Sequence, residues 1–266
     1  MANIPFLWLA ALTRNITDGG SGDPLTISIN VNGTDVAVAD FFSEHGQAQG
    51  YVQHAKAVVD FDSETLTNSS VRIGNCGDNA WAPQHVLLFG QADKGDFIPL
   101  AMETDLTQVL SSDVTEGRLT LPLRLLAPAS YTTPIQRLLL LVGTADVDDA
   151  GTHSLVQMQI FINGGLTFSQ VIPNTPQDDL QQAVSNWYYF DVQPAFTLQE
   201  FEITNGRIEL TILGDDAWLP SHVFLFGVDT ATGRPNQLIP IVTMPQWENG
   251  TMSTDPHEGN PTITLR

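Results

Sequence analysis

Positive charge is what this sequence has least of. Lys56 and Lys94 are its two lysines, and 10 basic residues face 30 acidic ones, for a formal net charge of -20. Nucleic-acid binding rests on neutralising phosphates with Lys and Arg, so that partner is excluded on electrostatic grounds. Such a surface attracts cations, or simply keeps molecules apart in solution. A single cysteine, Cys76, rules out an intramolecular disulfide and leaves the redox compartment open. No apolar run reaches transmembrane length. Ile4 to Leu12 is apolar but lacks the basic residues that open a secretory signal. Its counterpart recurs in mid-chain, so it reads as a strand. Localisation is not legible from these features.

Motifs for covalent and phosphate chemistry are missing too: there is no G-x-S-x-G elbow, no H-E-x-x-H and no glycine-rich phosphate loop. The six histidines, His45, His54, His85, His153, His222 and His257, show no metal-ligand spacing. An enzyme is therefore not expected. Residual candidates for chemistry are unrepeated residues such as Glu44, His45 and His54, in the Phe41 to Lys56 stretch, which has no clear periodicity.

What the chain does have is a copy of itself. GDNAWAPQHVLLFG, Gly77 to Gly90, returns as GDDAWLPSHVFLFG, Gly214 to Gly227, with ten of fourteen positions identical. SSDVTEGRLTLPLR from Ser111 matches STDPHEGNPTITLR from Ser253, with Pro261 breaking the match of the final strands. A weaker match sets the segment from Leu7 to Gly33 against that from Leu138 to Gly164, keeping the apolar positions and a closing Asn-Gly. LLAPASYTTPI, Leu125 to Ile135, carries two prolines and small polar residues of linker type. The expected domains are 1-127 and 135-266, joined by a linker at 128-134.

The periodicity inside each copy is two. Leu25, Ile27, Ile29 and Val31 alternate with polar residues, as do Val156, Met158, Ile160 and Ile162, and then Ile208, Leu210 and Ile212. Asn32-Gly33 and Asn163-Gly164 supply the positive φ angles of a tight hairpin turn. LWLAAL, RLLLLVG and HVFLFG are apolar almost throughout, which places them at central positions covered on both faces. The fold class is all-β: two tandem antiparallel β-sandwich domains of roughly eight strands each, related by internal duplication. One short helix is expected over Pro176 to Asn186, where Pro leads, acids fill the first turn and Leu180, Ala183 and Val184 share a face.

Carboxylates are the most informative candidates for a site. Asp146, Asp148 and Asp149 lie between the first two strands of the second copy, and Asp215 and Asp216 precede its Trp-x-Pro-x-His segment. Calcium takes several hard oxygen ligands from flexible loops, which two acidic loops meeting at one sandwich end would provide. Asp and Asn also build turns by bonding their own backbone, with Trp81 and Trp218 plugging the end of the sandwich. The alternative is a Trp that contacts ligand or dips into a membrane. The repeated His85 and His222 read either as hydrogen-bonding a turn carbonyl or as ligand-contacting. Asp113, Glu116, Asp255 and Glu258 read as a second cation site or, more simply, as a turn closed by Gly117 and Gly259. Cys76 aligns with Leu213, which reads as a buried core position.

TADVDDAGTHSLVQMQIFINGG, Thr144 to Gly165, resembles the opening of PLAT/LH2 domains with their TGD-x-x-x-A-G-T-D type loop. VRIGNCGDNAWAPQHVLLFG, Val71 to Gly90, resembles a later strand pair of that family. The likeness covers about half of each copy. It implies an eight-stranded sandwich that often binds calcium at these loops and attaches to lipid or protein partners. Carried across, it makes Asp146, Asp149, Asp215 and Asp216 ligands in the second copy, and Asn15, Asp18, Asp78 and Asn79 in the first. Asn15 and Thr17 stand where Asp146 and Asp148 do, so the first site loses charge, and His153-Ser154 replaces the family's acidic position. The expected function is a non-catalytic, calcium-stabilised binding or adhesion module. The partner is a protein, a lipid surface or a carbohydrate. A self-assembling fibre, sheath or coat subunit and a lectin are the alternatives.

Overall fold

A computed structural model describes residues 3–14, 16, 19–41, 51–62, 66, 69–75, 77, 79–173, 180–182, 184–230 and 235–265, with backbone alone at 36–40 and 51–62. The chain divides into two compact units, Met1–Ala127 and Pro128–Arg266. The first holds β1 (Asn3–Thr13), β2 (Leu25–Val31), β3 (Thr34–Phe41), β4 (Tyr51–Asp62), β5 (Ser69–Asn75), β6 (Pro83–Gln91), β7 (Phe97–Glu103) and β8 (Thr120–Leu125). The second holds β9 (Ile135–Thr144), β10 (Val156–Ile162), β11 (Gly165–Ile172), β12 (Ser185–Phe196), β13 (Arg207–Ile212), β14 (Pro220–Val228), β15 (Leu238–Met244) and β16 (Thr262–Leu265). The named strands pair antiparallel, and the fold is all-β and sandwich-like.

In the second unit two four-stranded sheets, ordered β11-β10-β13-β16 and β12-β9-β14-β15, enclose one core. The first unit uses the same order, β3-β2-β5-β8 and β4-β1-β6-β7. There the two halves are also joined, because β7 pairs with β8 at Ala101↔Leu125 and Met102↔Arg124, giving one continuous eight-stranded sheet.

The alternating segments are half-buried strands, as their pattern requires. Val156, Met158, Ile160 and Ile162 face the core while Gln157, Gln159 and Phe161 stay partly exposed. The continuous runs are central strands. Leu138, Leu140 and Val142 enter the core, and Leu139, Leu141, Phe224 and Phe226 on the opposite face are buried as well. Each such side chain removes enough apolar surface from water to contribute about 1.5–3 kcal/mol.

Both Asn-Gly hairpins have the expected turn, with φ of 52° and 86° at Asn32-Gly33 and 52° and 73° at Asn163-Gly164. The expected helix is not where the periodicity put it. Leu180 lies in a bend at φ 52°, and Ser185 and Asn186 already belong to β12; 174–179 and 183 lie outside the described residues. Among the described residues the α-helix is α1, Leu198–Ile203, capped by Thr197, whose side chain accepts from the Glu200 N–H at 3.0 Å. Thr197-x-x-Glu200 is a capping-box pattern, and Leu198 and Phe201 bury one face. β4 is a second element that periodicity missed. The expected linker is fastened to the second unit: Tyr131 carbonyl accepts from Gln199 N–H at 2.9 Å, and Ser130 N–H donates to Gln237 Oε1 at 2.9 Å.

A Cβ at Gly164 would meet nothing within 4 Å, so a substitution there acts through the backbone alone. Gly164→Ala is expected to cost about 1–2 kcal/mol, the penalty of a left-handed L-residue. Urea unfolding should report this as a lower midpoint at unchanged slope.

Candidate functional site

Because β1 runs antiparallel to β4 and β6, the segments after β1, before β6 and after β7 meet at one end of the first unit. Their counterparts after β9, before β14 and after β15 meet at the same end of the second. Among the described residues this loop end carries the candidate ligand residues, and its internal bonding recurs almost bond for bond.

The repeated tryptophans are inside. Trp81 and Trp218 are 0% exposed, and each indole N–H donates at 2.9 Å to a threonine at the end of the first strand, Thr13 and Thr144 Oγ1. These rings fill the sandwich end, as the plug reading has them, and the threonine hydroxyl satisfies their polar edge. Their backbones exchange hydrogen bonds with Leu110 and Met252, both fully buried.

Around each plug the two loops are clasped together. In the first unit Ser21 Oγ donates to the Asn79 carbonyl at 3.2 Å and accepts from Asp23 N–H at 3.1 Å. Asn79 N–H donates to Asp23 Oδ2 at 2.6 Å. In the second, Thr152 Oγ1 donates to the Asp216 carbonyl at 3.4 Å and accepts from Ser154 N–H at 3.0 Å. Asp216 N–H donates to Ser154 Oγ at 3.0 Å. A carboxylate reinforces both clasps from opposite sides: Asp23 reaches from the first loop, whereas Asp216 Oδ2 reaches back to the His153 N–H at 2.7 Å. Room for the clasp comes from Gly77 and Gly214, where an added Cβ would lie 1.9 Å from the Asp23 carboxyl carbon and 2.1 Å from Ser154 Oγ.

The Asp113–Gly117 and Asp255–Gly259 segments are self-contained turns. Ser111 and Ser253, each 0% exposed, donate to Glu116 and Glu258 and accept from the Asp113 and Asp255 N–H groups. Asp113 and Asp255 Oδ1 accept from the N–H two residues on, both at 2.8 Å. The Thr115 hydroxyl and N–H on Asp113 hold its carboxyl below the usual carboxylate range. Gly117 and Gly259 fit because a Cβ would strike the carbonyls of Val109 and Thr251 at 2.4 and 2.0 Å.

His85 and His222 are 8% and 7% exposed. His222 places Nδ1 3.0 Å from Ser221 Oγ and Nε2 3.3 Å from Ser185 Oγ, lying over Gly143, where a Cβ would come within 2.1 Å of the ring. Burial alone lowers its pKa to about 4, so the ring is neutral at pH 7. His85 Nδ1 accepts from Asp105 N–H at 3.2 Å, and the ring also hydrogen-bonds the Gln84 backbone. Burial lowers its pKa as well, against the opposing pull of Asp105 and of a hydrogen bond to the Gln84 backbone. Both rings are thus enclosed at the start of their strands.

Asp146, Asp148, Asp149 and Asp215 remain exposed, with Gln182 donating to Asp146 Oδ1 at 3.1 Å. Val147, Leu155 and Leu213 beside them are 50%, 49% and 50% exposed, and Leu213 N–H donates to the Leu155 carbonyl at 2.8 Å. Leu213 is thus no core position, contrary to the reading made for Cys76 through it. Among the described residues no three acidic, histidine or cysteine side chains gather as a metal-binding group. Asn79 of the first-copy set is exposed at the clasp, whereas Asn15, Asp18, Asp78 and Cys76 lie outside the described residues.

No protein-family model matches this sequence, and no curated protein does. Among solved structures, alpha toxin from Clostridium absonum is similar at 17% identity and a TM-score of 0.39, over 52% of this chain and 33% of the toxin. The match spans a third of that toxin's length, and no residue role is taken from it.

Two outcomes are expected. Gly214→Ala should displace Ser154 and cost about 1–3 kcal/mol by overpacking, and a Ser154→Gly partner should recover most of the loss in a double-mutant cycle of unfolding free energies. For His222 the folded pKa lies below the ordinary 6.5, so between pH 6.5 and about 4 the unfolded chain binds the extra proton. Its contribution is whole above pH 6.5 and is lost as pH falls toward 4, about 3 kcal/mol at 1.36 kcal/mol per pKa unit. Urea unfolding at several pH values should show a shallower dependence in His222→Gln than in the parent across that window.

Proposed function

We propose that the protein is a non-catalytic binding module that meets a protein or lipid surface through the loop end of its second unit. The observation that carries this reading is a division of labour among the repeated residues. The tryptophans, the clasp and the acidic turns are consumed by internal bonds, whereas Asp148, Asp149 and Asp215, with the Gln182-bonded Asp146, are exposed beside half-exposed Val147, Leu155 and Leu213. A rigid rim of carboxylates set with aliphatic side chains is suited to a ligand that offers both cationic and apolar groups. The resemblance of Thr144 to Gly165 to the PLAT/LH2 opening supports the same use of this end. A duplicated module is further supported by the shared strand order and the recurrent clasp.

The non-catalytic part is supported by the enclosure of Ser185 and His222, 6% and 7% exposed, which bars a substrate from this serine–histidine contact. The lectin reading loses the aromatic platform it relied on, since both repeated tryptophans are buried. Calcium is proposed as a weak ligand of the exposed aspartates. Its support is the sequence pattern and their exposure, not an assembled ligand set.

Thermal unfolding in about 5 mM calcium against excess EDTA tests this. A site with a Kd of about 0.5 mM would add about 1.4 kcal/mol, a rise of a few degrees. Asp148→Asn with Asp149→Asn should remove the rise, whereas Asp216→Asn should destabilise with or without calcium because it opens the clasp. No rise in the parent protein would remove calcium. Sedimentation with phosphatidylcholine vesicles, whose headgroups present cationic choline, lost in Leu155→Ser with Leu213→Ser at unchanged Tm, would then separate a lipid surface from a protein one.

A further inference from the structure

We propose that the outer edge of β11 is a self-pairing surface through which two copies of this chain associate, joining β16-β13-β10-β11 across a two-fold axis into one eight-stranded sheet. A comparison between the two units carries it. β3 and β11 occupy the same place: each follows an Asn-Gly turn, pairs with β2 or β10 on one side, and is the outermost strand of its sheet. Counted from that turn without a gap, Asp35 and Asp40 of β3 stand where β11 has Leu166 and Val171. Edge strands are guarded against pairing with a neighbouring chain by charge, and β3 has two acids for that purpose. Gly165–Ile172, GLTFSQVI, has no charged residue at all.

The remaining guards are missing over most of the strand. A register shift at Phe161 disturbs the start of β11, but from Phe168 to Ile172 its pairing with β10 is regular. Phe168 and Ile172 anchor that stretch in the core at 8% and 0% exposure. Gln170 lies between them on the same face, opposite fully buried Met158, and is nevertheless exposed, so the sandwich is open along this edge. Among the described residues no strand adds to its outer side. The lack of charge also selects the occupant. Most of the surface of a chain carrying -20 meets another copy with like charges opposed, but antiparallel pairing of two β11 edges opposes none. Centred on Gln170, the pair sets Ser169 of each copy against Val171 of the other, so the edge is its own complement. Such an isologous contact closes on itself and yields a dimer, not a filament. It uses none of the carboxylates or leucines of the loop end and stands independently of what that end binds.

Sedimentation equilibrium of the full chain from about 1 to about 200 µM tests the proposal, over the range in which micromolar association becomes visible. A monomer–dimer equilibrium is expected. Ser169→Asp with Val171→Asp sets like charges directly opposite each other twice across the two-fold, and should shift the equilibrium about tenfold or more toward monomer at unchanged Tm. Should that variant fail to fold, amide exchange in the parent protein decides, with protection of 169–171 expected to rise with concentration while 158–160 stays constant. A monomer at every concentration overturns the proposal. So do a dimer indifferent to both substitutions, protection at 169–171 that ignores concentration, and growth into species larger than the dimer.

Discussion

A fully buried indole still has one N–H to satisfy, and that need organises each half of this molecule. Trp81 and Trp218 close the sandwich end by filling it, and the cost of enclosing their polar edge is met by a threonine placed at the last position of β1 or β9. The strand must therefore end where it does. The loop before β6 or β14 must also return close enough for its backbone to pair with Leu110 or Met252. From that fixed point the rest of the end follows: Ala82 and Leu219 donate to the carbonyls of Gly19 and Ala150, and the Ser21 or Thr152 hydroxyl bridges the loops. Each bond is worth only about 1 kcal/mol, but they share the same few residues and hold as a set.

The carboxylates acquire their meaning from this set. Asp23 and Asp216 sit on different loops, yet each ends on a backbone N–H of the opposite loop, so the two clasps keep one acid apiece while exchanging which loop supplies it. Acidic residues in the turns after Ser111 and Ser253 are absorbed in the same manner. Once turn-building is subtracted, the β9–β10 loop and the turn before β14 keep Asp148, Asp149 and Asp215 exposed, with Asp146 bonded by Gln182. Total acidity, which dominates the composition, says little about a site, whereas these few exposed carboxylates at the loop end say more.

Much of the fold was legible because periodicity two is a strong signal when one face is buried. β2, β10 and β13 could be read residue by residue, and both Asn-Gly turns announced their φ angles. The helix was misplaced for a physical reason. An apolar spacing over Pro176 to Asn186 mimics a helical face, but Ser185 and Asn186 are recruited by pairing with Gly143 and Val142, and long-range pairing overrides local preference. α1 was missed because six residues are too short to show a period, although its Thr-x-x-Glu cap was visible. At the site, recurrence located the right segments but could not sort their roles. Repetition marks whatever the fold needs twice, and the Trp and His positions it singled out are buried, which the letters do not show.

That last point can be turned around. If recurrence identifies scaffold, then function is to be sought where the two units differ, as they do at the loop end. The β9–β10 loop holds Asp146, Asp148 and Asp149 where the first unit has Asn15, Thr17 and Asp18. Leu155 and Leu213 add exposed apolar surface beside it. This departure does not strengthen the second unit as a folded object. Outward carboxylates repel one another, and half-exposed leucines forgo burial. Features that cost stability without adding to the scaffold are what the proposed binding role requires of the surface that carries it.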